Sequence, residues 1–431
     1  MGPCPERASD ERIRAFVGKG PRRRRLRTGD DMSIPAVRIR KESFGYTLAF
    51  ATGNIGFYAE TAGPLLLRGT TEAELEEHRV EDIPVGDNFH LAGPLVAWFE
   101  LTRACNLPCK HCYISAGRPR KDELSTPDVL RVLDELAAQG VFVVVFLGGE
   151  PMMHPDFIPI VRHAHDLGLI VSIGSNGTYV TQEIIDQLPK EECFVSVSLD
   201  GIGYQREMRV HSTYDEIREK LLLLKKNDVP TGIMCVITEH NIDEVGRILD
   251  FARENDFYFG STPFSPIGRG KQNPGLMPTT RIAERSARLY EKDDAHEHYM
   301  MSRTGLCFTK FFYQCYHLSK AIRKEFCGIS LAYIQSDGDV YPCTTCSSAG
   351  KFRAGSLRES SFREIWEGSF RDIRAISWDD FKGCGSCELS KDPYFCTSRC
   401  PVMSEVYTGD PLQCGSTPYL QESLRLRTKT T

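Results

Sequence analysis

The 431-residue sequence lacks long apolar segments and has no strong excess of charge of either sign. No apolar run approaches the roughly 18 residues that a membrane-spanning helix requires, and the N-terminus lacks the apolar core of a secretory signal. The net charge of −5 gives no reason to expect a nucleic-acid partner. The sequence therefore predicts a cytoplasmic globular protein without a membrane or nucleic-acid partner.

The sequence does contain sixteen cysteines, which is many for a protein of the reducing cytosol. Secreted disulfide frameworks are usually short chains. Here the cysteines are grouped, with one field near residue 110 and another of ten cysteines over residues 301–431. Cys193 and Cys235 lie apart from both fields, in apolar stretches, and are predicted to be core residues. The grouping favours metal or iron–sulfur cluster binding.

The first field is the stretch Cys105-Asn-Leu-Pro-Cys109-Lys-His-Cys112. It follows the apolar run 95–101, which is typical of a buried strand, so the cysteines are expected on the loop that leaves its C-terminal end. Such a loop can direct three thiolates to one place, which suits a 4Fe–4S cluster with one iron left free. Zinc is the alternative, although a zinc site normally has a fourth Cys or His at familiar spacing.

From residue 95 to about residue 294, short apolar strands alternate with amphipathic helices. Six such units predict an α/β fold in which a parallel sheet curves into a partial (β/α)6 TIM-like barrel. The predicted strands are residues 95–102, 141–147, 169–174, 194–199, 232–238 and 257–263. Barrels of this type place their chemistry at the C-terminal ends of the strands.

Three further stretches lie at such strand ends: Gly148-Gly149-Glu150-Pro151, Ser175-Asn176-Gly177 and Ser198-Leu199-Asp200-Gly201. In this order, and together with the C-x3-C-x2-C stretch, they resemble the radical S-adenosylmethionine (SAM) superfamily. The resemblance implies that the free iron binds the amino and carboxylate groups of SAM. One electron then cleaves SAM to a 5′-deoxyadenosyl radical, which abstracts a substrate hydrogen.

The resemblance also implies which residues surround SAM. Gly148 and Gly149 would let the backbone approach the methionyl end, and Glu150 would accept a hydrogen bond from the ammonium group. The residues implied near the ribose and carboxylate are Ser175, Asn176, Ser198 and Arg209. For Arg209 a surface salt bridge is the alternative.

Two other features near the implied SAM site have more than one interpretation. Asp200 either contacts a ligand or fixes its own loop. The segment 266–270, with Gly-Arg-Gly at its end, either packs near the adenine, as the resemblance suggests, or forms an ordinary turn.

The second cysteine field has the spacing C-x10-G-x4-C followed by C-x2-C-x8-C-x3-C-x13-C. It resembles the SPASM domain, a C-terminal extension of radical SAM enzymes with two auxiliary iron–sulfur clusters. The resemblance assigns one cluster to Cys384, Cys387, Cys396 and Cys414, and the other to Cys327, Cys343 and Cys400. The fourth ligand of the latter stays open: Cys346 is the first candidate, Cys307 and Cys315 follow, and an open iron is possible. Two zinc ribbons are the alternative for the whole field.

The N-terminal part is predicted to contain a disordered basic tail over residues 1–35 and a small α+β unit over residues 36–94. Three strands followed by short helices at residues 61–67 and 71–78 resemble a shortened leader-peptide recognition domain, which adds a peptide to its sheet as an extra strand. A structural cap on the barrel is the alternative. The barrel is assigned to residues 95–300 and the SPASM-like domain to residues 301–431.

The resulting functional hypothesis is a radical SAM/SPASM enzyme that modifies a ribosomally synthesised peptide. Its product would be a thioether or carbon–carbon crosslink, and a flavodoxin- or ferredoxin-type donor would supply electrons. One alternative is an oxidoreductase acting on a small molecule, either by sugar dehydrogenation or on a tetrapyrrole side chain. A non-catalytic iron–sulfur or zinc scaffold is the other.

Overall fold

The computed structural model describes residues 24–27, 33–43, 45–49, 55–59, 89–291, 315, 318–319, 322–390 and 399–427. The helices predicted at residues 61–67 and 71–78 lie outside these ranges, as do Cys307 and Cys396. None of the helices in the described ranges has the length and apolar character needed to cross a membrane.

The described part of the N-terminal unit is a four-stranded antiparallel sheet. Its strands, in spatial as well as chain order, are β1 (Arg24–Arg27), β2 (Ser33–Lys41), β3 (Gly45–Ala49) and β4 (Ile55–Ala59). The prediction of a disordered tail over residues 1–35 is wrong for β1 and for the start of β2, because Arg24 pairs with Val37 and Arg27 with Ser33. Backbone pairing does not depend on side-chain polarity, and charged residues are common on edge strands.

The barrel sheet contains all six predicted strands, each within two residues of the predicted ends. They are β5 (Val96–Thr102), β6 (Val143–Gly148), β7 (Ile170–Ser175), β8 (Cys193–Ser198), β9 (Thr231–Ile237) and β10 (Tyr258–Pro263). Consecutive strands are parallel neighbours. The carboxyl ends of all six therefore meet at one edge of the sheet, as a partial barrel requires.

Helices cover the outer face of this sheet. They are α1 (Thr126–Ala138), α2 (Phe157–Asp166), α3 (Gln182–Gln187), α5 (Tyr214–Lys226) and α6 (Ile242–Glu254). The short helix α4 (Gln205–Met208) lies in the loop after β8, where the Met208 carbonyl accepts a 3.0 Å bond from the Lys110 backbone. In α1, the side chain of Ser125 caps the first turn, and apolar residues at helical spacing, such as Val129, Leu133 and Leu136, are buried. Cys193 and Cys235 are buried in the same core, as predicted.

The C-terminal part extends the barrel sheet, which the sequence did not predict. Strand β11 (Leu331–Ile334) pairs in parallel with β5, with Leu331 opposite Val96. Strands β12 (Asp339–Tyr341) and β13 (Gly355–Ser356) follow in antiparallel order, which gives a nine-stranded sheet. Further helices in the described part of the C-terminal region are α7 (Thr344–Ala349), α8 (Phe362–Gly368), α9 (Arg371–Ala375), α10 (Pro401–Thr408) and α11 (Pro418–Arg427).

The N-terminal sheet is attached to the barrel through the buried ion pair Arg40–Glu42. The Arg40 guanidinium donates 3.0 Å hydrogen bonds to the carbonyl oxygens of Pro94 and Gly140, and it lies over the Phe142 ring. Glu42 accepts a bond from the backbone of Ala92. Residues 94 and 140 precede β5 and β6, so this sheet lies at the N-terminal ends of the barrel strands, opposite the end where the cysteine loop begins.

Candidate functional site

The cysteine loop, residues 103–117, begins where β5 ends and is held against the end of β6. The backbone N–H of Gly149 donates to the Thr102 carbonyl and that of Glu150 to the Ala104 carbonyl, both at 2.8 Å. A Cβ at Gly149 would lie 2.1 Å from the Ala104 oxygen, and one at Gly148 2.4 Å from the Thr102 oxygen. The two glycines were expected to make room for SAM. In the structure their missing side chains allow close contact with the start of the cysteine loop.

A second contact to this loop comes from the segment that follows β10, the last strand of the barrel. The side chain of Arg269 donates from Nε to the Cys109 carbonyl at 2.9 Å and from Nη1 to the Ala116 carbonyl at 2.5 Å. Its backbone N–H donates to the Cys112 carbonyl at 2.9 Å. The Gly-Arg-Gly segment therefore fixes the loop that carries the cysteines. The sequence analysis missed this role of Arg269, and the 160-residue separation leaves no local signal for it.

Each of the three thiols of the loop receives at least one N–H donor. Cys112 Sγ lies 3.3 Å from the backbone nitrogen of Ala116. Cys105 Sγ lies 3.9 Å from Asn176 Nδ2, and Cys109 Sγ lies 3.9 Å from Arg209 Nη1. Donors of this kind stabilise sulfur in its anionic form, which is the form that binds iron.

Burial opposes that ionised form while no metal is bound. It raises the pKa of the Cys105 thiol and raises that of Cys109 to about 11, whereas the Arg209 guanidinium lowers the pKa of Cys109. Three thiols on one loop, each with an N–H donor, fit a cluster that is held by three protein sulfurs.

Glu150 is fully buried beside the loop at the end of β7. It accepts hydrogen bonds from the Ser175 hydroxyl at 2.9 Å and from the Asn176 backbone at 2.7 Å. Burial raises its pKa to about 7, although these bonds act in the opposite direction. Glu150, Ser175 and Asn176 thus form one hydrogen-bonded group, although they come from two motifs 25 residues apart in sequence. Ser198 ends β8 at the same edge of the sheet.

Asp200 and Arg209 form a buried ion pair beside Cys109. Asp200 Oδ2 accepts from Arg209 Nε at 2.7 Å, and Oδ1 accepts from the Val236 backbone at 2.8 Å, so Asp200 fixes its own loop. Arg209 is 8% exposed, which rules out a surface salt bridge. His111 Nε2 lies 3.5 Å from Asp200 Oδ2, and burial lowers the pKa of His111 to about 4.

The structure brings four cysteines of the second field together: Cys327, Cys343, Cys346 and Cys400. Cys343 Sγ and Cys346 Sγ are 3.5 Å apart. Hydrogen bonds from the Cys327 and Cys346 thiols lower the pKa of Cys343 well below its ordinary value. Burial raises the pKa of Cys400, and the charge of Cys343 raises it further. The candidate Cys346 is thus placed with the other three, whereas Cys315 contacts the Ser330 carbonyl instead.

Cys384, Cys387 and Cys414 lie in a second group of loops. Cys384 and Cys387 share one turn, since the Cys387 N–H donates to the Cys384 carbonyl at 3.2 Å. The backbone of Lys382 bonds to that of Leu412 at 2.8 Å, which brings this turn beside the loop of Cys414. Cys396 lies outside the described residues.

The positions of these thiols bear on whether they would hold a single metal ion or an iron–sulfur cluster. Among the described residues, no three His, Cys, Asp or Glu side chains surround a single metal-ion position. The protein thiolates of a 4Fe–4S cluster each bind a different iron, so a cluster does not require that arrangement.

Comparison with known proteins agrees with this geometry. Residues 99–252 match the radical SAM superfamily, and residues 326–388 match the SPASM iron–sulfur cluster-binding domain. The chain is 31% identical to the mycofactocin maturase MftC of Mycobacterium ulcerans, over 75% of this chain and 86% of that protein. It is 28% identical to an AdoMet-dependent heme synthase of Methanosarcina barkeri, over 74% of this chain and 94% of that protein.

The fold is also similar to that of a solved structure, Streptococcus suis SuiB bound to the precursor peptide SuiA. The TM-score is 0.67 at 17% identity, and the similarity covers 92% of this chain and 99% of SuiB. The chain therefore belongs to the radical SAM superfamily, in the branch with a SPASM domain, and is an enzyme whose cofactors are a catalytic 4Fe–4S cluster, SAM and auxiliary iron–sulfur clusters.

Proposed function

We propose that this enzyme abstracts a hydrogen atom from a ribosomally synthesised precursor peptide and closes a thioether or carbon–carbon crosslink in it. The observation that carries the proposal is the 31% identity to a mycofactocin maturase over most of both chains. The similarity in fold to SuiB, a protein solved with its precursor peptide, supports it.

The protein residues hold the reactants in place and balance their charge. Cys105, Cys109 and Cys112 would hold the catalytic cluster, and the buried group around Glu150 would orient SAM at the adjacent strand ends. When bound, the catalytic cluster supplies the electron that cleaves SAM to the 5′-deoxyadenosyl radical, and the auxiliary clusters supply an acceptor for the electron released on crosslinking. The peptide thus loses two hydrogen atoms, one to 5′-deoxyadenosine and one as a proton and an electron. A flavodoxin- or ferredoxin-type donor would provide the first electron.

The N-terminal sheet would bind the leader part of the precursor. Within the described residues, β1 and β4 each pair on one side only, so each has an edge to which an extended peptide can add by backbone hydrogen bonds. Because Arg40 attaches this sheet to the N-terminal ends of the barrel strands, a bound leader must continue along the barrel to reach the cysteine loop. The length of β5 sets this path at about 20 Å, or roughly six to seven extended residues.

The test is anaerobic incubation of the reconstituted enzyme with SAM, dithionite and any short peptide found encoded beside its gene. We expect 5′-deoxyadenosine and a peptide lighter by two hydrogen atoms in the mass spectrum. Cys112→Ala serves as the control and should give neither product. Production of 5′-deoxyadenosine with an unchanged peptide would contradict the proposal.

A second candidate is oxidation of a tetrapyrrole side chain, favoured by the 28% identity to an AdoMet-dependent heme synthase over 94% of that protein. The two functions differ in what binds the N-terminal sheet. A fluorescent leader peptide should bind with saturation if the substrate is a peptide, whereas a tetrapyrrole enzyme should show no leader binding and should deplete a porphyrin precursor supplied in its place.

A further inference from the structure

Glu100 is a buried carboxylate on β5, two residues before this strand ends and the cysteine loop begins. Its neighbour across the sheet, Leu147 of β6, is partly exposed, as is Trp98 two residues earlier on the same face of β5. Phe99 and Leu101, on the opposite face, are buried in the core. Because helices cover the outer face of this sheet, Glu100 faces the interior of the barrel.

Three neighbouring side chains donate hydrogen bonds to the Glu100 carboxylate. The hydroxyl of Ser336 donates to Oε1 at 2.8 Å, and the hydroxyl of Tyr333 in β11 donates to Oε2. Nε of Arg103, the first residue of the cysteine loop, lies 3.3 Å from Oε1. The hydroxyl groups therefore share in stabilising the carboxylate, and Arg103 spends only one long hydrogen bond on it.

The Arg103 guanidinium keeps its other donors available. The structure shows no hydrogen bond from Nη1 or Nη2 to any residue that it describes, and the side chain is 22% exposed. The Arg103 backbone is fixed, since its N–H donates to the Glu123 carboxylate at 2.7 Å. Two adjacent Nη groups form a fork that matches the two oxygens of a carboxylate. Glu100 and Glu123 thus hold this fork in place beside the cysteine loop.

A second donor lies near Arg103. Tyr113 follows the third cysteine of the loop and is partly exposed, and its hydroxyl bonds to none of the described residues. Burial raises the pKa of Tyr113, the charges of Cys112 and Glu100 raise it further, and the Arg103 guanidinium lowers it. The phenol ring is therefore close enough to interact with both members of the Arg103–Glu100 ion pair.

We propose that Arg103 and Tyr113 form a site that binds a carboxylate group of the substrate inside the barrel. The inference rests on the proposed function and adds a requirement to it, because the reacting part of the substrate must then carry a free carboxylate. In a precursor peptide this group is an acidic side chain or the C-terminus near the modified residue. In a tetrapyrrole it is a carboxylic side chain. The low dielectric constant of the barrel interior strengthens the attraction between the charges.

The first experiment uses propionate as the probe, so it does not depend on the substrate. The anaerobically reconstituted holoenzyme is reduced in the presence of S-adenosylhomocysteine, which fills the SAM site without forming a radical. Reduced iron–sulfur clusters are paramagnetic, so bound propionate relaxes faster in nuclear magnetic resonance. We expect saturable binding to the wild type. Arg103→Gln should raise the dissociation constant at least about tenfold, because a charge-assisted hydrogen bond is lost. Arg103→Lys, which keeps the charge but not the fork, should be intermediate.

The matched control is Arg118→Gln, which removes the same charge from an exposed position just after the loop. It should bind propionate as the wild type does. Wild-type affinity in Arg103→Gln, or an equal loss in the control, would overturn the proposal. Weaker binding of S-adenosylhomocysteine in Arg103→Gln would also overturn it, by assigning the residue to SAM. If Arg103→Gln fails to fold, Tyr113→Phe leaves the ion pair intact and should still weaken propionate binding, and unchanged affinity would refute the site.

The second experiment uses whichever substrate the enzyme converts, with its carboxylate present or removed. An acidic peptide residue is replaced by its amide, and a porphyrin is supplied as its methyl ester. Removal should raise the KM of the wild type at least about tenfold and have little further effect in Arg103→Gln, since the partner is already absent. Additive effects would contradict the proposal. If neither substrate is converted, the proposed function fails, whereas loss of propionate binding in Arg103→Gln would still support the carboxylate site.

Discussion

Substitution of Gly149 by alanine tests how the end of β6 positions the cysteine loop. The added Cβ would lie 2.1 Å from the Ala104 carbonyl oxygen, and ordinary contact begins at 3.4 Å, so the two backbones must separate by about 1.3 Å. The 2.8 Å bonds from Gly149 to Thr102 and from Glu150 to Ala104 would then exceed hydrogen-bond length. Because the obstructing atoms belong to the backbone, a change of rotamer cannot relieve the contact.

The magnitude follows from those two effects. Overpacking costs about 1–3 kcal/mol, and each lost hydrogen bond adds about 0.5–1.5 kcal/mol. The free energy of unfolding should therefore fall by about 2–6 kcal/mol. Each kcal/mol lowers the Tm of a domain of this size by about 2–4 °C. Displacement of Ala104 also moves Cys105, so we expect reconstituted Gly149→Ala to bind less iron than wild type.

The assay is thermal unfolding of the apo-protein together with iron content and the catalytic-cluster signal after anaerobic reconstitution. Gly117→Ala is the matched control, since Gly117 ends the same loop and a Cβ there meets no atom within 4 Å. It should keep both the Tm and the iron content. If Gly149→Ala behaves as Gly117→Ala does, the reasoning about close backbone approach is wrong.

Three further predictions follow from the site. Burial raises the folded-state pKa of Glu150 to about 7. Between the ordinary pKa of the carboxyl group and about pH 7, the folded state therefore holds a proton that the unfolded state releases. The free energy of unfolding falls as the pH rises through this window. Relative to Glu150→Gln, wild-type apo-protein should lose about 3 kcal/mol on going from pH 4.5 to above pH 7, measured by urea unfolding, and a pH-independent difference would refute this. Cys346→Ala should lower the iron content and alter an auxiliary-cluster signal, whereas Cys315→Ala should do neither; equal iron loss in both would exclude Cys346 as the fourth ligand. Shortening the segment between leader and modified residue of the precursor below roughly six residues should abolish crosslinking while leader binding persists, and full activity with the shorter peptide would contradict the path along β5.

The barrel was predictable from sequence because strands β5 to β8 contain no exposed residue on either face. Such strands are continuous apolar runs, as in β6 with three consecutive valines, and glycine or polar residues mark their ends. The three cysteines of the loop could be proposed as ligands for a related reason, since they lie within eight residues and their spacing is visible in one line of sequence.

The features that local sequence patterns did not reveal depend on contacts between residues that are far apart in the sequence. Strand β11 has four residues, and nothing in them specifies β5 as a partner more than two hundred residues earlier. The contacts of Arg269 with the cysteine loop were missed for the same reason, because the two segments lie 160 residues apart in the sequence. Strand β1 was missed because its arginines give no apolar alternation, whereas pairing with β2 uses only backbone groups.

The pairing of β5 with β11 has a consequence for biosynthesis. The ribosome completes β5 more than two hundred residues before it completes β11, and in that interval the nascent barrel has an unpaired apolar edge of sequence VAWFELT. Exposed edges of this kind recruit other strands, so the emerging chain is prone to aggregation and a natural client for chaperones. A premature stop codon before residue 331 would leave that edge permanently open and should yield inclusion bodies.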